Sequence, residues 1–109
     1  MKPVVWLGDS LDRLREFPAE ARHDLGYDLE QVQGGDAPKD WKPMPSIGPG
    51  VIEIRVRAGG AYRLIYIAGM TEAIYVVHVF QKKSRKTSRT DVELARTRVR
   101  KLLQEKRQS

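Results

Sequence analysis

The sequence contains no cysteine, which excludes disulfide scaffolds, thiolate zinc sites and cysteine nucleophiles together. Histidine is limited to His23 and His78, well separated along the chain, so no conventional metal cluster is expected. Neither a metal nor an organic cofactor is required by anything in the sequence. No apolar run approaches the ~18 residues that would span a bilayer. Met1-Lys2-Pro3 leads straight into a short apolar run holding Trp6, which is not the pattern of a signal peptide. The expectation is a soluble, cytoplasmic protein with no membrane partner. Also missing are a GxSxG elbow, an HExxH helix, a glycine-rich phosphate loop and any recognisable spaced pair of carboxylates. There is no internal repeat and no low-complexity tract.

What is present is a chain of 109 residues, 40% hydrophobic and 31% charged, enough for one core and too short for two. A single domain over residues 1–109 is expected. The formal net charge of +6 is unevenly placed. Residues 82–109 hold eleven Lys or Arg against three acids, a net of +8, whereas residues 1–81 hold nine against eleven, a net of −2. A basic excess gathered in the last quarter points either to a polyanionic or acidic partner or to a solvated, arginine-rich helix.

Val4-Val5-Trp6-Leu7 reads as a strand closed by Gly8, and Asp9-Ser10 offer helix N-caps. Leu11, Leu14 and Phe17 recur at helical spacing as far as Pro18, which ends that helix or opens the next. Ala21, Leu25, Leu29 and Val32 then give one apolar face to a second helix, ended by Gly34-Gly35. Four prolines and four glycines between Gly34 and Gly50 break every periodicity, so the segment is expected to be a loop without regular structure. It is long enough to be either a surface connection anchored by Trp41 and Met44 or a binding element.

Val51 to Arg57 alternates, with Ile52, Ile54 and Val56 on one face and Glu53, Arg55 and Arg57 on the other. A second strand, Ala61 to Ala68, follows Gly59-Gly60. A two-residue turn would pair Val56 with Arg63 and drive the arginine into the apolar face. A three-residue turn, Ala58 to Gly60, pairs Arg55 with Arg63 and keeps both on the charged face. Two guanidinium groups placed opposite each other are destabilising unless an anion bridges them. Ala73 to Gln81 is apolar at both parities, as a central strand should be. After the basic segment Lys82 to Arg89, a capping box at Thr90-Asp91-Val92-Glu93 opens a helix of about four turns, with Val92, Ala95, Val99, Leu102 and Leu103 on its apolar face. The order is β-α-α-β-β-β-α, an α+β fold in which an antiparallel meander packs against helices.

The cations Arg55, Arg57, Arg63, Lys82, Lys83 and Arg85 all fall at strand ends. If the three strands are sheet neighbours, these groups converge on one surface suited to phosphates and to the charge of a phosphorane-like transition state. RNA cleavage asks for little more, because the 2′-hydroxyl nucleophile comes with the substrate. His78 is either a hydrogen-bonded core residue sharing a face with Ile74, Val76 and Phe80, or an acid or base. Tyr62 and Tyr66 are assigned to the core and His23 to the surface.

Three pieces in order, Gly50-Val51-Ile52-Glu53-Ile54-Arg55, Tyr62-Arg63-Leu64-Ile65-Tyr66 and Val77-His78-Val79-Phe80-Gln81-Lys82-Lys83, followed by the helix Leu94-Ala95-Arg96-Thr97-Arg98, resemble the RelE/ParE toxin superfamily in its phage-derived, HigB-like (Gp49-like) branch. The resemblance covers nearly the whole chain. It implies a RelE-like fold with an N-terminal helical hairpin, an antiparallel sheet and a C-terminal helix. It further implies the toxin of a type II toxin-antitoxin system, paired with a helix-turn-helix antitoxin and acting as a metal-independent, ribosome-dependent mRNA endoribonuclease. By position, Arg55, Arg63 and Lys83 fall on family active-site cations; His78 and Lys82 match the motif without an assigned step. Lys82, Arg57, Arg85 and Lys86 are then expected to bind RNA backbone. Glu53 departs from the pattern, standing where ribosome-dependent relatives often have a basic residue. The alternatives are a ParE-like gyrase inhibitor and a non-catalytic nucleic-acid-binding module.

Overall fold

The computed structural model describes residues 1–108. Five strands form one sheet in the order β1-β5-β4-β3-β2: β1 Val4–Trp6, β2 Trp41–Pro43, β3 Val51–Arg57, β4 Ala61–Ile67 and β5 Ile74–Lys82. Helices α1 (Ser10–Glu16), α2 (Ala19–Gln33) and α3 (Arg89–Gln108) complete the order β-α-α-β-β-β-β-α. Strands β2 to β5 pair antiparallel, while β1 adds to the far edge parallel to β5. The sheet is therefore mixed, because the crossover through α1 and α2 returns the chain to the opposite edge before the meander begins.

Strand alternation divides the core in two. Leu14 of α1 and Ala21, Leu25 and Leu29 of α2 pack against Ile54, Val56, Tyr62, Leu64, Tyr66 and Val76 on one face. Ala95, Val99 and Leu102 of α3 pack against Val51, Ile65, Ile67, Tyr75 and Val77 on the other, joined by Ile47 from the loop. The β3–β4 turn has three residues, and Arg55 pairs with Arg63, as the charged-face argument requires. Gly59 adopts φ +72, which glycine reaches without strain.

The segment before Gly50 departs from its reading as an irregular loop. Trp41, Lys42 and Pro43 pair with Ile54, Glu53 and Ile52 as β2. A proline is tolerated there because β2 is the sheet edge and needs no second ladder. Met44 and Ile47 do anchor the segment to the α3 side, but Trp41 stands 45% exposed. Helix α3 begins earlier than the Thr90–Glu93 spacing suggested: the Asp91 N–H donates to Ser88 Oγ, and that hydroxyl donates to Asp91 Oδ2, so the reciprocal cap is Ser88-x-x-Asp91. At α1, Asp9 occupies the N-cap position but its carboxylate turns away to Arg13 and Arg98.

A β-bulge changes what strict alternation in β5 implied. Ile65 pairs with His78 but the next residue, Tyr66, pairs with Val76, leaving Val77 as the extra residue. Val77 and His78 consequently both turn toward α3. His78 no longer shares a face with Ile74 and Val76, although it keeps that of Phe80, on which its ring stacks with centroids 5.2 Å apart. Helix α3 holds both bulge residues. Asp91 Oδ1 lies 2.7 Å from His78 Nε2, and Arg98 donates to the Val77 carbonyl at 2.9 Å and to Asp9 at 2.6 Å.

Two outcomes are expected. Arg98→Met keeps the aliphatic stem but removes the side-chain donor to the part-buried Val77 carbonyl and the bond to Asp9, and should lower unfolding free energy by about 1–3 kcal/mol in urea titration. Burial depresses the His78 pKa below its ordinary value of 6.5, against the opposing pull of Asp91. The folded ring resists a proton that the unfolded chain accepts, so this contribution is complete above pH 6.5 and declines as pH falls. Denaturation at pH 7.5 and 5.5 should therefore show a larger loss of stability in the wild type than in His78→Gln. Equal losses would exclude the ring as its source.

Candidate nucleic-acid interface

The register places the candidate side chains in rows on the face of the sheet that α3 covers only in part. In the row nearest the open end, Arg57 of β3, Ala61 of β4 and Lys82 of β5 are partners. In the next, Arg55, Arg63 and Phe80 are partners. In the third, Lys42 of β2, Glu53, Ile65 and His78 follow across four strands. Adjacent strands are about 4.8 Å apart, so Arg63 on the central strand borders Arg55 directly and Arg57 and Lys82 diagonally, while Arg57 and Lys82 face each other across Ala61. Arg57 is exposed, Arg55 and Lys82 are partly so, and Arg63 is buried.

Each central arginine has its own carboxylate. Asp40, just before β2, accepts the Arg55 backbone N–H on its main-chain carbonyl at 2.9 Å, and its side-chain Oδ1 lies 3.4 Å from Arg55 Nε. Glu53 Oε1 lies 3.5 Å from Arg63 Nε, with side-chain exposures of only 5% and 11%. Arg63 Nη1 donates to the Tyr62 carbonyl at 3.2 Å. Burial lowers the pKa of Arg63 from its ordinary value, Glu53 opposes that shift and Arg55 adds to it. The pairing is incomplete: Glu53 Oε2 and Arg63 Nε have no hydrogen-bond partner among the described residues.

The remaining predicted residues lie around this patch rather than in it. Lys83 has the opposite parity to Lys82 and lines a cleft of about 420 Å³ with Arg13, Glu16 and Phe17, on the α1 side of β5. It also borders a second cleft of about 240 Å³ with Phe80, Lys82, Lys86 and Asp91. Asp91 lines both clefts, so they meet at the start of α3. Arg85 is exposed on the connection between β5 and α3. His78 is fully buried behind Phe80 and Asp91, and its Nδ1 has no partner among the described residues.

Sequence reasoning missed the two counterions, Lys42 and the His78–Asp91 pair. Glu53 carried a usable signal, since it shares the parity of Arg55 and Arg57. Lys42 had none beyond its proximity to Trp41, because a three-residue edge strand containing Pro43 has no periodicity to read. Asp91 was visible only as a capping residue. Among the described residues no group of His, Asp and Glu is arranged to hold a metal ion, and no helix is long and apolar enough to cross a membrane. The chemistry this patch offers is anion binding, by a guanidinium pair flanked by a further arginine and a lysine.

Comparison with known proteins follows the same lines. No curated protein matches the sequence. The crystal structure of the isolated E. coli RelE toxin superposes with a TM-score of 0.62 over 94% of this chain and 99% of that one, at 19% identity. Residues 12–100 match the family described as phage derived protein Gp49-like (DUF891), and this span includes most of α1, all of α2 and strands β2 to β5, and most of α3. The chain belongs to the Gp49-like family of phage-derived proteins and carries the RelE-like fold that its resemblance to the RelE/ParE toxin superfamily implied.

Proposed function

We propose that residues 1–109 act as the toxin of a type II toxin-antitoxin system, a metal-independent endoribonuclease that cuts mRNA on the ribosome in the cytoplasm. The observation that carries this reading is the register of β3, β4 and β5, which sets Arg55 opposite Arg63 and places Arg63 diagonal to both Arg57 and Lys82. Family membership and the RelE-like fold support it.

In the proposed reaction the 2′-hydroxyl oxygen of one nucleotide attacks its own 3′ phosphorus. The new P–O2′ bond forms as the P–O5′ bond to the next nucleotide breaks. Charge builds on the non-bridging oxygens between these events, and Arg63 and Arg55 are placed to stabilise it. Holding the phosphate in line is the larger part of the task, because the nucleophile is already covalently attached. The proton leaving the 2′-hydroxyl and the one arriving at the 5′ oxygen are carried by other groups, water included. Lys82, Lys83, Lys86, Arg57 and Arg85 supply backbone affinity. With its ring enclosed, His78 enters as the group behind Asp91 rather than as a contact to RNA. The partner in this reading is a helix-turn-helix antitoxin presenting an acidic or helical segment to the basic surface.

The test is mRNA cleavage and growth inhibition on induction of the full chain. Arg63→Lys keeps a cation against Glu53 but loses the planar fork, and Arg55→Ala breaks an exposed pair of little structural weight. Each should reduce cleavage by about 10²-fold with circular dichroism unchanged. Lys82→Ala should reduce the salt dependence of RNA binding by about one unit of slope. Undiminished toxicity in both arginine variants would overturn the nuclease reading, and DNA breaks linked to gyrase without mRNA cuts would replace it with a ParE-like one.

A further inference from the structure

The carboxylate of Glu53 is the least expected group in the patch. It is charged, nearly inaccessible, and set one row away from Arg63 on the neighbouring strand. That diagonal separation is within reach of long side chains. A guanidinium has N–H donors on its Nε edge and at both Nη ends. In Arg63 the Nη1 end donates to the Tyr62 carbonyl and Nε lies 3.5 Å from Glu53 Oε1 as an ion pair without a hydrogen bond, whereas Nη2 has no hydrogen bond among the described residues. The neighbours on the same row give Arg63 no other anchor: Arg55 repels it and Phe80 is apolar. Without Glu53, a buried cation facing Arg55 would gain by swinging toward water.

We infer that Glu53 is a positioning residue for the site, its charge holding the Arg63 guanidinium in place by ion pairing beside Nε so that the Nη2 end is left for a phosphate oxygen of the RNA. The inference rests on the nuclease reading of the patch. Glu53 and Asp40 then have different duties. Asp40 is 59% exposed beside a 37% exposed Arg55, so water and an incoming phosphate can replace it at little loss. Glu53 is enclosed, and displacing it would leave a buried carboxylate unpaired. Arg55 can exchange its carboxylate for phosphate, while Arg63 keeps its own and binds phosphate with what remains. Glu53 thus places a negative charge inside a cationic site, which weakens general attraction for polyanions while preserving one oriented donor. Its loss should therefore affect the rate more than binding.

The experiment compares full-length wild type, Glu53→Gln, Glu53→Asp, Arg63→Lys and the Glu53→Gln/Arg63→Lys double variant. The rate and KM of mRNA cleavage are measured, together with the Arg63 Nε–H signal in ¹⁵N NMR. In Glu53→Gln that signal should shift, cleavage should slow at least about tenfold, and KM should change less than about threefold. Glu53→Asp, which keeps the charge at a shorter reach, should fall between wild type and Glu53→Gln in both readouts. The double variant should cleave no slower than Arg63→Lys, because Glu53 acts only through Arg63. An unchanged Arg63 signal and rate in Glu53→Gln would overturn the inference. So would a double variant slower than Arg63→Lys, which would place Glu53 on the substrate itself. If Glu53→Gln does not fold, Glu53→Asp decides: its shortened reach should perturb the Arg63 signal and slow cleavage, and wild-type values for both would overturn the inference. Should the wild type cut no mRNA, the nuclease reading fails, while the Arg63 signal still decides whether Glu53 holds the guanidinium; should Arg63→Lys cleave like wild type, the role given to Arg63, and with it the inference, is overturned.

Discussion

The site depends on one additional residue in β5. The bulge at Val77 turns two consecutive side chains toward α3 and reverses the facing of the strand beyond it. Without it, His78, Phe80 and Lys82 would point to the α1 and α2 side, and the row containing Arg55 and Arg63 would end on Val79 instead of Phe80. A bulge of this kind leaves a residue out of the ladder, and here α3 makes up that deficit. Arg98 bonds the Val77 carbonyl and Asp91 meets His78. The helix that fills the second core is thereby also the clamp that holds the bulge, and the start of α3 is fixed beside the two clefts by the same contacts.

Electrostatics follows from that geometry. Two arginines facing each other across an antiparallel pair repel, and the fold answers with a carboxylate for each rather than by separating them. The pairs differ in environment and so in consequence. An exposed ion pair such as Arg55–Asp40 contributes roughly 0–1 kcal/mol and exchanges readily. Breaking an enclosed pair such as Arg63–Glu53 from one side costs about 3–5 kcal/mol. The patch therefore combines a labile cation with a fixed one, which suits a surface that must admit a phosphate and then hold it in a single orientation. The net charge of the chain lies elsewhere, chiefly on α3 and the segment leading to it, where it adds long-range attraction for a polyanion.

Much of the fold was legible in the sequence because local physics decides it. The alternation of Val51 to Arg57, the length of the Ala58–Gly60 turn and the spacing of Ala95, Val99 and Leu102 each specify structure without reference to distant residues. Even the pairing of Arg55 with Arg63 could be derived, since hairpin register follows from turn length and from the need to keep arginine off the apolar face. The short strand β2 was not legible. It exists because β3 offers an open edge, and Trp41 to Pro43 supplies no pattern of its own.

The sequence by itself determined the hairpin, the helices, the two apolar faces and the cations set at strand ends, all products of short-range spacing and of the chain's periodicities. The tertiary structure alone decided that β1 runs parallel on the edge of β5, that His78 is enclosed against Asp91, that Lys42 joins the patch, and that Arg55 and Arg63 have counterions. The reason is physical. A bulge adds one residue at a point fixed by packing against α3, and a counterion is chosen by distance and desolvation across strands, neither of which spacing along one strand encodes.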